Sequence, residues 1–225
     1  MFTAAFDASG TEYDQIAVVV AGFISSTNDW LDFEKHWNTR LRDDGIKYFH
    51  MVDFAASRGE FEGWRNQEGK RRALLSDLLD IIARHCYRKF GCVILVKEWR
   101  AGISQVNKDH FRINAYCLAA MISTANVDTW TQSERMGNPA EIVLEDGDAG
   151  KGLLQRLIAP RKPDPIFRPK KDTPRTDGTI IPGFVPLQAA DLLAYEILNG
   201  VKNYESGMLR DPRHALGEFS YIPGK

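Results

Sequence analysis

The sequence predicts a single α/β domain built on a mixed five-stranded sheet with helices on both faces. Three observations carry this reading: short β-branched apolar runs, apolar residues at helical spacing between them, and the order in which the two alternate. Two strand-like runs open the chain, which predicts a hairpin. The later alternation of helix and strand predicts parallel strands joined by helical crossovers. A chain of 225 residues, 44% apolar and 26% charged, suits one domain with a full core.

Phe2 to Phe6 alternates large and small apolar residues and reads as a short central strand, with Asp7 at its carboxyl end and the turn residues Ser9 and Gly10 after it. Ile16 to Ile24 is nearly continuous and apolar, the pattern of a strand buried on both faces. Trp30, Phe33, Trp37 and Leu41 follow the cap residues Ser26 and Thr27 at helical spacing, predicting a helix to about Arg42. Lys47 to Phe54 reads as a short strand running into a loop. Leu74, Leu75, Leu78, Ile81 and Ile82 mark a second helix, Phe90 to Val96 another strand, and Phe111, Ala115, Leu118 and Ile122 a third helix. Ile142 to Leu144 reads as a central strand, Gly152 to Ile158 as a short helix, and Pro186 to about Asn203 as a last helix opened by proline at its first position. Between them, Pro160 to Pro186 carries seven prolines and reads as a long loop, and the tail from Gly207 reads as irregular.

A formal charge of -1 excludes a protein that coats nucleic acid through bulk basicity, but leaves room for local basic patches. Cys86, Cys92 and Cys117 form no C-x-x-C pair and sit in apolar segments, so reduced thiols are expected rather than a disulfide framework or zinc knuckle. Met1 to Asp7 lacks the pattern of a signal peptide, and no apolar run approaches a membrane span, so the cytoplasm is the expected location and a membrane is not an expected partner.

Four places can carry chemistry. Asp7 ends the first strand, where open α/β sheets bind ligands; an acid there also starts turns. Glu145, Asp146 and Asp148 put three carboxylates in four residues at a strand end, a pattern that hard divalent cations favour and that a solvated turn also tolerates. Neither the calcium-loop nor the phosphate-loop motif fits there: position six from Asp146 is Lys151, and Gly150-Lys151-Gly152 lacks the hydroxyl residue. Asp191 lies in the apolar helix segment P-L-Q-A-A-D-L-L-A-Y, three residues after Gln188 on the same face. A carboxylate in such a helix is costly unless paired or coordinated. His50 and Asp53 sit in F-H-M-V-D-F, where a structural hydrogen-bonding role competes with a functional one.

Taken in order, these landmarks resemble a bacterial and phage family, domain of unknown function 3800, which looks like a branch of the ribonuclease H-like fold. The matching stretches are Asp7-Ala8-Ser9-Gly10, V-V-V-A-G-F, F-H-M-V-D-F, E-F-E-G-W, L-E-D and Q-A-A-D followed by an apolar helix, from about Phe2 to Asn203. One departure stands out: where relatives have Glu after the opening Asp, this chain has Ala8. The resemblance implies acids from the first strand, a neighbouring strand and the last helix meeting at one sheet edge around magnesium or manganese.

The expected function is a divalent-metal-dependent nuclease or related phosphodiester hydrolase acting on nucleic acid. Asp7, Glu145, Asp146 and Asp191 would be ligands, and His50 and Gln188 would position substrate or water. Arg168, Lys170 and Lys171, in the locally basic stretch from Arg161 to Arg175, would hold phosphates. The alternative is a catalytically silent ribonuclease H-like module that binds protein or nucleic acid, which Ala8 favours. A small-molecule pocket protein is a third reading.

Overall fold

The computed structural model describes residues 1–13, 15–102, 114–134, 137–147 and 150–207. The expected helix start at Phe111, Asp148 of the acidic run, and the tail beyond Gly207 lie outside these residues.

Five strands form one mixed sheet: β1 (Phe2–Ser9), β2 (Ala17–Ser26), β3 (Arg88–Leu95), β4 (Glu141–Glu145) and β5 (Ile166–Arg168), in the order β3-β2-β1-β4-β5. β1 pairs antiparallel with β2 and parallel with β4; β2 pairs antiparallel with β3, and β4 parallel with β5. The central β1 is thus where the sheet changes from hairpin to crossover connections. The described helices are α1 (Thr27–Asp43), α2 (Met51–Ala56), α3 (Glu68–His85), α4 (Val96–Gly102), α5 (Ala115–Ser133), α6 (Lys151–Ile158) and α7 (Pro186–Glu205), with a 3-10 turn at Gly59–Phe61. This is the α/β class with a mixed five-stranded sheet that the sequence predicts.

Period-two alternation splits the core into two layers. Ala17, Val19, Ala21 and Phe23 of β2 pack against α1, α3 and α7, while Val18, Val20 and Ile24 face α5 and α6. On β1, Ala4 and Phe6 join the α5 side, so Ala5 faces the opposite way and meets Leu187 of α7. Asp7, two residues on, shares that face. Trp30, Phe33 and Trp37 seat α1 through ring contacts of 5.0–5.2 Å, and Ser26 caps it by accepting from the Asp29 N–H.

Two expected elements differ. Lys47 to Phe54 is not a strand; His50 is the N-cap of the six-residue α2. Phe49, Met51 and Phe54 are buried with Phe61 in the α1–α3 layer, so a turn of helix, not a pleat, delivers the apolar residues. The fifth strand comes instead from the stretch expected as a loop: β5 extends the sheet beside β4, and β6 (Thr173–Pro174) and β7 (Ile180–Ile181) form a small ribbon. Among the described residues, no helix is long and apolar enough to cross a membrane.

Candidate active site

Four elements meet at the carboxyl ends of β1 and β4. Asp7 is 3% exposed and Asp191 5%, so each buried charge requires a partner. They share one. The ammonium of Lys170 donates to Asp7 Oδ2 at 2.6 Å and to Asp191 Oδ1 at 3.1 Å. The other oxygen of each acid accepts from backbone: Asp7 Oδ1 from the Ala8 N–H at 2.7 Å, and Asp191 Oδ2 from the Met51 N–H at 2.6 Å. The Met51 donor is the first amide of α2, which has no intrahelical acceptor of its own. Removing one member of a buried charge group of this kind costs roughly 3–5 kcal/mol.

Lys170 follows β5, two strands away from β1, so its side chain crosses the end of β4 where Glu145 stands. Burial alone would lower the Lys170 ammonium, but Asp7 and Asp191, with Glu145 beyond them, outweigh it and hold it above its ordinary value. Glu145 moves the other way for a carboxyl: burial raises it, the charges of Asp146 and Asp191 add to this, and Lys170 and His50 only partly offset it.

His50 completes the edge. Its Nδ1 lies 2.8 Å from Asp53 Oδ2 and its Nε2 lies 3.7 Å from Asp191 Oδ1. Asp53 is pushed up by burial, yet His50 and Arg58, the latter 3.4 Å away, bring it below the ordinary carboxylate range.

Gln188 is buried beneath this edge. Its Oε1 accepts from the Trp37 indole and the Phe49 N–H, and its Nε2 donates to the Lys170 carbonyl. Both ends of the amide are engaged by protein, so Gln188 ties together the segments that carry His50 and Lys170. Asp146 pairs with Lys151 rather than turning to the acid pair. Arg168 lies in β5 opposite Glu145, and its buried Nε makes no hydrogen bond among the described residues. Lys171 stands over the Tyr48 ring, 4.3 Å from its centroid. Lys170, expected on phosphates, is bound to the acids because two buried carboxylates outcompete solvent for the nearest cation.

The structure therefore brings together Asp7, Asp191, Lys170 and His50, with Glu145 beside them. Among the described residues, no group of three or more His, Cys, Asp or Glu side chains is arranged as a metal cage. Sequence reasoning missed two partnerships: Lys170 with the acid pair, and Asp53 with His50. The second had a signal, since H-x-x-D places both side chains on one face once a helix starts at Met51.

No protein-family model matches the chain, and no curated protein matches it. Among solved structures it is similar to ribonuclease HII from Archaeoglobus fulgidus, described in a complex with PCNA, at 16% identity over 95% of this chain and 82% of that one, with a TM-score of 0.42. It is also similar to ribonuclease H2 from Pyrococcus horikoshii, at 17% identity over 92% and 75% of the two chains, again with a TM-score of 0.42.

Proposed function

We propose that this chain is a divalent-metal-dependent phosphodiester hydrolase acting on nucleic acid, with Asp7, Glu145 and Asp191 as ligands to magnesium or manganese. One observation carries the reading: Asp7 and Asp191, from β1 and α7, each turn one carboxylate oxygen onto a single cation, the Lys170 ammonium. A pair of hard oxygens already converging on positive charge, with a third carboxylate on the adjacent strand end, fits the donor preference of magnesium or manganese. The position also fits, since ligands of open α/β sheets bind at the carboxyl ends of strands where the connection pattern changes.

When bound, the ion would activate water and neutralise charge on the phosphate. The protein's own part is to hold and orient. The Ala8 and Met51 amides fix the two aspartates, and Asp53 fixes the His50 ring so that Nε2 faces the acid pair. His50 holds a water or moves a proton at that nitrogen.

The test is cleavage of labelled single- and double-stranded DNA and RNA with magnesium, with manganese and with chelator. Cleavage is expected only with metal, falling at least about 100-fold in Asp7→Asn and Asp191→Asn. Equal cleavage by wild type and both variants would remove the assignment. A second reading, the catalytically silent module, is favoured by Ala8, which replaces the acid of the resembled family with a methyl packed against the α5 layer. Metal binding without cleavage of any substrate selects it.

A further inference from the structure

We infer that Lys170 is a tethered stand-in for the metal, and that a divalent ion enters between Asp7 and Asp191 only by displacing its ammonium while the backbone stays in place. The inference rests on the reading of these aspartates as ligands.

The two cations need the same oxygens. Lys170 Nζ sits 2.6 Å from Asp7 Oδ2 and 3.1 Å from Asp191 Oδ1, while the other oxygens accept from the Ala8 and Met51 amides. A divalent ion on Asp7 Oδ2 and Asp191 Oδ1 would lie against an ammonium in a site with little water to screen the repulsion. Both cannot stay. The ammonium neutralises two carboxylates that are almost wholly buried, so the fold tolerates the acid pair without a metal.

The backbone around Lys170 is clamped. Its carbonyl accepts from Gln188 Nε2 at 2.9 Å, the Pro169 carbonyl accepts from the Phe184 N–H at 2.8 Å, and Asp172 Oδ1 accepts from the Gly183 N–H at 2.8 Å. Lys171 packs so closely on Gly183 that an added Cβ would lie 2.6 Å from its Cα. The segment cannot lift away as a unit without breaking these contacts. What can move is the side chain, four carbons of flexible stem carrying a compact charge. The metal-competent state is then a minor rotamer population, and the observed metal affinity is reduced by its fraction.

The experiment titrates manganese calorimetrically into wild type, Lys170→Met and Asp191→Asn. A parallel measurement on wild type follows amine acylation at Lys170 by mass spectrometry, with and without magnesium, using exposed Lys171 as reference. Lys170→Met is expected to bind manganese at least about tenfold more tightly than wild type, and to melt at lower temperature without metal. Magnesium is expected to raise Lys170 acylation several-fold relative to Lys171. Binding by wild type that is lost in Asp191→Asn but not tightened in Lys170→Met overturns the inference and leaves the metal reading intact. No binding by any of the three overturns both. Should Lys170→Met fail to fold, unchanged acylation in metal-bound wild type overturns the inference on its own.

Discussion

The indole N–H of Trp37 donates to Gln188 Oε1 at 2.9 Å, across 151 residues of sequence. The same oxygen accepts the Phe49 N–H at 2.8 Å, and the Gln188 Nε2 donates to the Lys170 carbonyl at 2.9 Å. One side chain thereby joins α1, the approach to α2, the segment after β5, and α7. The backbone it holds adjoins the candidate site: His50 follows Phe49, and Lys170 is held directly.

Gln188→Ala strands three buried polar groups at once. Each unsatisfied group costs about 1–3 kcal/mol, and partial solvation of the gap keeps the sum to about 3 kcal/mol. Urea unfolding followed by circular dichroism should show this loss, and manganese binding should weaken although Gln188 is not a ligand. An unchanged midpoint would show that the three bonds are replaced by water at no cost.

Gly22 marks the closest approach in the sheet. It pairs with Phe6, and a Cβ added there would fall 1.8 Å from the Ala5 carbonyl oxygen. No rotamer relieves a clash with backbone, so Gly22→Ala must push β2 off β1 just before Asp7. We expect a loss exceeding about 3 kcal/mol and no cooperative melting transition in the variant. A normal melt would mean that the hairpin has slack at this point.

The hairpin itself was legible because β1 and β2 are apolar runs that do not depend on distant partners for their pattern. Helices α1 and α3 were legible for the same reason, each repeating an apolar stripe over several turns, and α7 showed as an apolar run opened by Pro186. In α5 the expected face was misplaced: Ile122 is exposed, while Tyr116, Ala120 and Val127 are buried. Asp7 and Asp191 stood out because a charge in an apolar segment demands explanation. The rest depends on contacts far apart in sequence. The six residues of α2 are too few to display a period, and the amide that opens the helix is fixed by Asp191, 140 residues away. The three residues of β5 sit among prolines and become a strand only by pairing with β4. The bond from Lys170 to Asp7 spans 163 residues, and no local pattern announces it.

Glu145 gives a pH signature. Its folded carboxyl is held above the ordinary 4.5, chiefly by burial. The folded state therefore binds that proton more tightly than the unfolded chain. The contribution to stability is full below the unfolded value and is lost as pH rises through the folded one, so ionised Glu145 costs stability at neutral pH. Glu145→Gln is expected to raise the metal-free melting temperature at pH 7, with the gain shrinking as pH falls and vanishing below about 4.5. A gain that persists at low pH would assign the effect to packing rather than charge.

Tyr48 and Lys171 give the nucleic-acid reading a test independent of cleavage. The Lys171 ammonium lies 4.3 Å from the Tyr48 ring centre and 3.2 Å from its hydroxyl, on the exposed side of the segments that carry His50 and Lys170. An exposed cation beside a half-exposed ring matches what single-stranded nucleic acid uses, a phosphate contact next to a stacking face. Lys171→Ala should weaken binding of a labelled single-stranded oligonucleotide for every sequence tested. It should also reduce the slope of log affinity against log salt by about one, the loss of one phosphate contact. Tyr48→Ala should cost about 1–3 kcal/mol of binding free energy with the slope unchanged, and Tyr48→Phe should restore most of it, because stacking needs the ring and not the hydroxyl. A Lys171→Ala protein that keeps the wild-type slope would place the substrate path elsewhere. A Tyr48→Phe protein as weak as Tyr48→Ala would replace stacking by a hydrogen bond from the phenol.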